Sequence, residues 1–180
     1  PDSKHTMKPF RKGLRATCAL ISIALVTACS TLGQYDITVN DVTVYEPASP
    51  LRVDGIEDTA LQNCLQQTAD DIEATQPSDT MSLNCSDAGI TSLAGLSQFD
   101  QIRLLKLDDN AIRNLLELGR LEALEQLWLN DNDIIDAIPV LKMSGLRALH
   151  LQGNPRLQCP PPDRIPPTLQ LTLPEHCTAP

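Results

Sequence analysis

The chain is poor in aromatic side chains: its 180 residues include one Trp, two Tyr and two Phe. Any hydrophobic core must therefore be aliphatic. Basic residues are also scarce, 14 against 23 acids, for a formal net charge of −9. Phosphate binding wants a basic face, so nucleic acid is excluded as a partner. Motifs that carry chemistry are missing as well: there is no HExxH, no CxxC pair and no glycine-rich phosphate loop. Beyond Cys29 the only histidines are His150 and His176, and no Ser, His and acid set is legible. These absences point away from an enzyme and imply neither a metal nor a cofactor. No apolar run reaches the ~20 residues of a comfortable membrane span.

What is present is unevenly spread. Lys4, Lys8, Arg11, Lys12 and Arg15 precede the first apolar run, whereas every acid except Asp2 lies beyond Cys29. Residues 7–29 read MKPFRKGLRATCALISIALVTAC. A positive start, an apolar run of about a dozen residues and a small-residue end form the pattern of a secretory signal. Its close, Leu25-Val26-Thr27-Ala28-Cys29, resembles the bacterial lipobox. The resemblance implies a diacylglycerol on the Cys29 sulfur, cleavage before Cys29 and N-acylation; an ordinary signal cut elsewhere and an uncleaved anchor helix are the alternatives. Residues 1–28 are then the signal peptide, with Met7 as its expected start. Ser30 stands where an inner-membrane lipoprotein tends to carry Asp, so the resemblance favours the outer membrane, with the chain facing periplasm or surface.

Cys18 falls inside the signal and Cys29 carries the lipid. Cys64, Cys85, Cys159 and Cys177 remain, an even number for an oxidising compartment. Three pairings are open at this point.

Internal self-similarity narrows them. Leu83, Leu105, Leu127, Leu149 and Leu171 recur every 22 residues, as do Cys85, Leu107, Leu129, Leu151 and Leu173. Asn110, Asn132 and Asn154 keep the same period, with Ala88 in the first copy, and Ile90, Ile112 and Ile134 follow them. The pattern LxxLxLxxNxIxxL resembles the short 22-residue form of the leucine-rich repeat, over residues 81–173. The resemblance implies an α/β solenoid of about five short parallel strands. Such a unit cannot bury its apolar face alone, so stacked units share one core. The asparagines are expected to bond backbone of their own and the adjacent turn.

Both ends need covers. Residues 56–80 read as a helical N-terminal cap, with Asp58 as N-cap and Ile56, Leu61, Cys64, Leu65 and Ile72 at helical spacing. Cys64 on that helix faces the first strand, where Cys85 takes a core leucine's place, so a Cys64–Cys85 bridge is expected. Cys159–Cys177 would close the other end, where residues 174–180 form the C-terminal cap. Each bridge closes a loop worth roughly 3 kcal/mol in the chain-entropy model. Residues 29–55 read as a lipidated tether followed by YDITVNDVTVY, which alternates around Asn40-Asp41 as a small hairpin. A lone hairpin is marginal, so it is expected to lean on the cap helix; a disordered linker is the alternative.

With leucines inward, the outward positions form the face that leucine-rich repeats offer to partners. Lys106, Trp128 and His150 become neighbours there, flanked by Asp108, Asn130 and Gln152. An exposed Trp among polar groups fits a binding hot spot; the competing reading lays Trp128 flat between Lys106 and His150 as surface packing. The column Asp87, Asp109 and Asp131, with Asp108 and Asp133 nearby, reads as a solvated edge, with Ca²⁺ or a basic partner as alternatives. The expectation is a lipid-anchored, non-enzymatic envelope protein that binds an envelope or extracellular protein. Glycan binding and a purely structural role are the competing readings.

Overall fold

The structure, a computed structural model, describes residues 37–39, 42–45 and 48–178. The signal-like segment, Cys18, Cys29, the tether and the Asn40-Asp41 turn lie outside the described residues. The chain divides into two units, residues 1–47 and 48–180. In the first, β1 (Ile37–Val39) and β2 (Val42–Tyr45) pair antiparallel, Val39 with Val42, with one irregularity between Ile37 and Thr38.

The second unit begins with helix α1 (Thr59–Asp71). Asp58 starts it: its extended backbone leaves Oδ1 free to accept from the N–H groups of Ala60 and Leu61, which have no partner within the helix. Leu61, Leu65 and Ala69, spaced by one turn, are buried. The contact expected of Ile72 fails. Ile72 is the C-cap and 48% exposed, because the helix has ended before its side chain turns inward.

Five strands of three residues follow: β3 (Ser82–Asn84), β4 (Leu104–Lys106), β5 (Gln126–Trp128), β6 (Ala148–His150) and β7 (Gln170–Thr172). They form one parallel sheet in chain order. The register sets Leu83 beside Leu105, Leu127, Leu149 and Leu171. The sequence columns are therefore spatial columns, and the sheet is built without a slip. The chain returns between strands through 3₁₀ turns at Leu96–Gln98 and Leu118–Arg120 and a one-turn helix α2 (Ile138–Leu141). A 22-residue repeat has no room for a longer helix once the strand and two bends are made.

The core runs the length of the stack between strands and returns. Leu105, Leu107, Leu127, Leu129, Leu149 and Leu151 are fully buried. Among the described residues Phe99 is the one aromatic in the core. Truncating such a leucine to alanine costs about 2–5 kcal/mol.

The buried asparagine amides of this interior are paired, whereas the buried Thr80 hydroxyl has no hydrogen-bond partner among the described residues. Asn132 Oδ1 accepts from the N–H of Ile112, while its Nδ2 donates to the carbonyls of Leu107 and Asn130. Asn154 repeats the pattern one turn on, accepting from Ile134 and donating to Leu129 and Leu151. Asn110 does so one turn back, accepting from Ile90 and donating to Cys85 and Leu107. The amides thus bond their own turn and the preceding one, as the period implies.

Two disulfides close the ends. Cys64–Cys85 joins α1 to the first repeat, Cα atoms 5.9 Å apart. Cys159–Cys177 joins the last repeat to helix α3 (Glu175–Thr178), Cα atoms 5.3 Å apart. Among the described residues no helix is long and apolar enough to cross a membrane.

Candidate binding face

Alternation along each strand sends the leucines inward and their neighbours outward. The outward side chains form rows across the sheet. One row is Ser82, Leu104, Gln126, Ala148 and Gln170; the next is Asn84, Lys106, Trp128, His150 and Thr172.

Trp128 is half-buried. The His150 ring stacks on it, centroids 5.3 Å apart and planes inclined by 12°. The Lys106 ammonium lies over the indole, 5.1 Å from its centroid. Strands β4 and β6 flank β5 on opposite sides, so the two neighbours reach the indole from opposite sides. Both faces of the ring are occupied, and an edge is left to solvent. Thr172 continues the row, its hydroxyl 3.2 Å from His150 Nδ1. The structure thus brings Lys106, Trp128 and His150 together as expected, in the flat-packed arrangement.

Asp108 and Asn130 have partners within the fold. Asp108 Oδ1 accepts from the N–H of Asn130, and Asn130 Oδ1 accepts from the N–H of Gln152. Each side chain satisfies the backbone of the next turn just beyond the strand. Gln152 is exposed.

The aspartate column has a backbone cause that its charge conceals. Asp87, Asp109 and Asp131 have φ of 54°, 56° and 53°, and Gly153, the fourth member, has φ 67°. All four sit in the left-handed region, where Asp is tolerated and Gly is favoured. The Asp131 carboxylate lies where a Gly153 side chain would stand; a Cβ there would meet its Oδ1 at 1.9 Å. Asp133 Oδ2 pairs with Arg113 at 2.7 Å and Arg156 at 3.3 Å. Sequence reasoning missed this role, and the exchange of Asp for Gly in one copy was the signal that carried it.

Other charges sort by partner. Arg103 Nε and Nη2 both donate to Glu125 Oε1; these bonds, first among the causes, lower the Glu125 pKa against desolvation, and the field of Arg147 adds to them. Burial raises the Asp58 carboxyl, but hydrogen bonds from Thr91, Leu61 and Ser92 outweigh it and bring it to about 2 from an ordinary 3.8. Asp58 Oδ2 accepts from the N–H groups of Thr91 and Ser92 and the Thr91 hydroxyl. One carboxylate therefore caps α1 and ties it to the first repeat.

Two features bear on catalysis and metals. Among the described residues, His150 contacts Thr172 and His176 contacts the Leu157 carbonyl, and neither ring meets a carboxylate. The one tight group of potential metal ligands among the described residues is Cys159, His176 and Cys177. Its two sulfurs are joined to each other, which removes the thiolates a metal would need.

The sequence matches no family model and no curated protein. Among solved structures the chain is similar to an internalin (inlF) from Listeria monocytogenes, at 20% identity and a TM-score of 0.51, over 56% of this chain and 31% of that one. It is also similar to an internalin C2 (inlC2) of the same organism, at 24% identity and a TM-score of 0.41, over 47% and 36%. The chain spans about a third of the length of these structures. The first likeness supports the fold. The chain is a leucine-rich-repeat α/β solenoid closed at both ends by disulfides.

Proposed function

We propose that this chain is a non-enzymatic binding module of the bacterial envelope that recognises another protein through the open face of its sheet. Lipid on Cys29 would hold it to the membrane, the outer membrane in preference to the inner. The observation that carries the reading is the Lys106–Trp128–His150 stack. It puts the chain's largest side chain at the middle strand of the sheet, edge outward, held on both sides. A rigid, half-buried Trp loses little conformational entropy on association, which is what makes such residues hot spots.

The same geometry weighs against a sugar ring stacked on Trp128, because both indole faces are already taken. A purely structural role predicts that nothing engages this face at all.

The test is a photo-crosslinker placed at Leu104, outward on β4 beside Gln126, in the full chain, followed by capture from envelope extract and measurement of the captured pair. Trp128→Ala is expected to weaken that pair by about 2 kcal/mol, roughly thirtyfold. Crosslinks confined to the return side of the repeats, with binding indifferent to Trp128, would end the proposal.

A further inference from the structure

Beside Trp128 the open face holds a depression of about 740 Å³, lined by Gln126, Trp128, Ala148, His150, Gln170 and, across its rim, Arg147 and Thr168. No carboxylate is among its lining residues, in a chain of net charge −9. Among the described residues Arg147 has no ion-pair partner. The nearby Glu125 carboxylate feels the field of Arg147, but its hydrogen bonds come from Arg103. The side-chain amides of Gln126 and Gln170 and the Thr168 hydroxyl likewise have no hydrogen-bond partner among the described residues, whereas Asp108, Asn130, His150 and Thr172 at the other ends of the strands do.

We infer that this depression takes a single carboxylate from an acidic segment of a partner protein, with Arg147 as its charge partner and Gln126, Thr168 and Gln170 as hydrogen-bond donors. The inference rests on the protein-binding reading above and names its chemistry. A planar guanidinium presents paired donors that match a carboxylate. Lys106, held over the indole, adds a second cation that has no ion-pair partner among the described residues. The far ends of the strands carry the opposite sign, in Asp87, Asp108, Asp109 and Asp131. A polyanion laid along the face would meet that acidic rim. A peptide offering one acid to Arg147 and no run of acids beyond it would not, and this charge division favours a protein segment over a sulfated glycan.

The probe is acetyl-Gly-Glu-Gly-amide, titrated into the full chain while the Trp128 indole N–H resonance is followed by NMR. The controls are acetyl-Gly-Gln-Gly-amide and a heparin disaccharide. The Glu peptide is expected to shift the signal saturably with a Kd in the millimolar range, at least about fivefold tighter than the Gln peptide, as one charge-assisted contact supplies. Arg147→Gln should abolish that preference, while Arg120→Gln, whose partner Glu117 lies with it on a return turn, should leave it within about twofold. Equal response to both peptides, or an undiminished preference in R147Q, overturns the inference. Tighter binding of the disaccharide through Arg147 overturns the peptide assignment in favour of an acidic glycan. Each of these failures leaves the crosslinking result at Leu104 standing, so the subsite and the binding role fail separately.

Discussion

Asp58→Asn is a small change whose consequence is legible from both of its oxygens. In the native chain Oδ1 caps α1 and Oδ2 accepts three hydrogen bonds from Thr91 and Ser92. Asparagine keeps an acceptor for the cap and replaces the other oxygen with an NH₂ that faces donors. A carboxyl held at about 2 instead of its ordinary 3.8 contributes roughly 2 kcal/mol to stability when ionised in both states. The sign follows from a depressed folded pKa. The contribution is fully present above about pH 4 and is lost as pH falls through about 2. Urea unfolding without reductant, at pH 7, 4, 3 and 2, measures it. D58N is expected to be less stable than the native chain by about 2 kcal/mol at pH 7, with the gap closing as the acid limit is approached. Other lowered carboxyls, Asp79, Glu117 and Glu125, make both proteins acid-labile, which is why the difference between them is the readout. A gap under about 0.5 kcal/mol at pH 7, or one that does not narrow in acid, would refute the assignment of Asp58 as the tie between cap and repeat.

Asn132→Ala should destabilise by about 1–3 kcal/mol in the same assay, because it leaves the Ile112 N–H unpaired in a dry interior and removes one of the two amide donors to the Leu107 carbonyl; a loss below about 0.5 kcal/mol would mean water reaches them. Gly95→Ala should lower the melting point through a cost of at least about 2 kcal/mol. Gly95 has φ 91°, and a Cβ there would stand 2.3 Å from the Gly55 carbonyl oxygen; an unchanged melting curve would show that the cap loop does not press on the first repeat. Cys29→Ser is expected to leave an unprocessed precursor that no longer partitions into detergent, and normal maturation of that variant would remove the lipid anchor from the proposal.

Much of the stack was legible because period 22 fixes register and alternation fixes side. Given Leu83, Leu105 and Leu127 inward, Trp128 had to point outward, and its neighbours had to be Lys106 and His150. The asparagine amides followed from the same period. So did the bridges, since only Cys64 with Cys85 and Cys159 with Cys177 share an end. What the period does not encode is backbone angle within a turn. The column of Asp87, Asp109 and Asp131 read as charge, when the left-handed φ is what selects those residues. Pairing with the N–H of the next turn was equally hidden at Asp108 and Asn130, because it depends on a bend that no hydrophobic pattern records. Ile72 misled for a simpler reason: helical spacing continues on paper after the helix has stopped.

The two disulfides have a consequence for how the stack comes apart. In a one-dimensional array each turn is held only by its neighbours, so opening ordinarily starts where a turn has one neighbour instead of two. Here both such turns are covalently pinned, one to α1 and the other to α3. Fraying from the ends is closed off, and the lowest-energy opening must break two interfaces at once in the interior. Hydrogen exchange would then be slow and nearly uniform from β3 to β7, and reduction would convert it to a gradient, fastest at the ends and slowest at β5, the strand that carries Trp128.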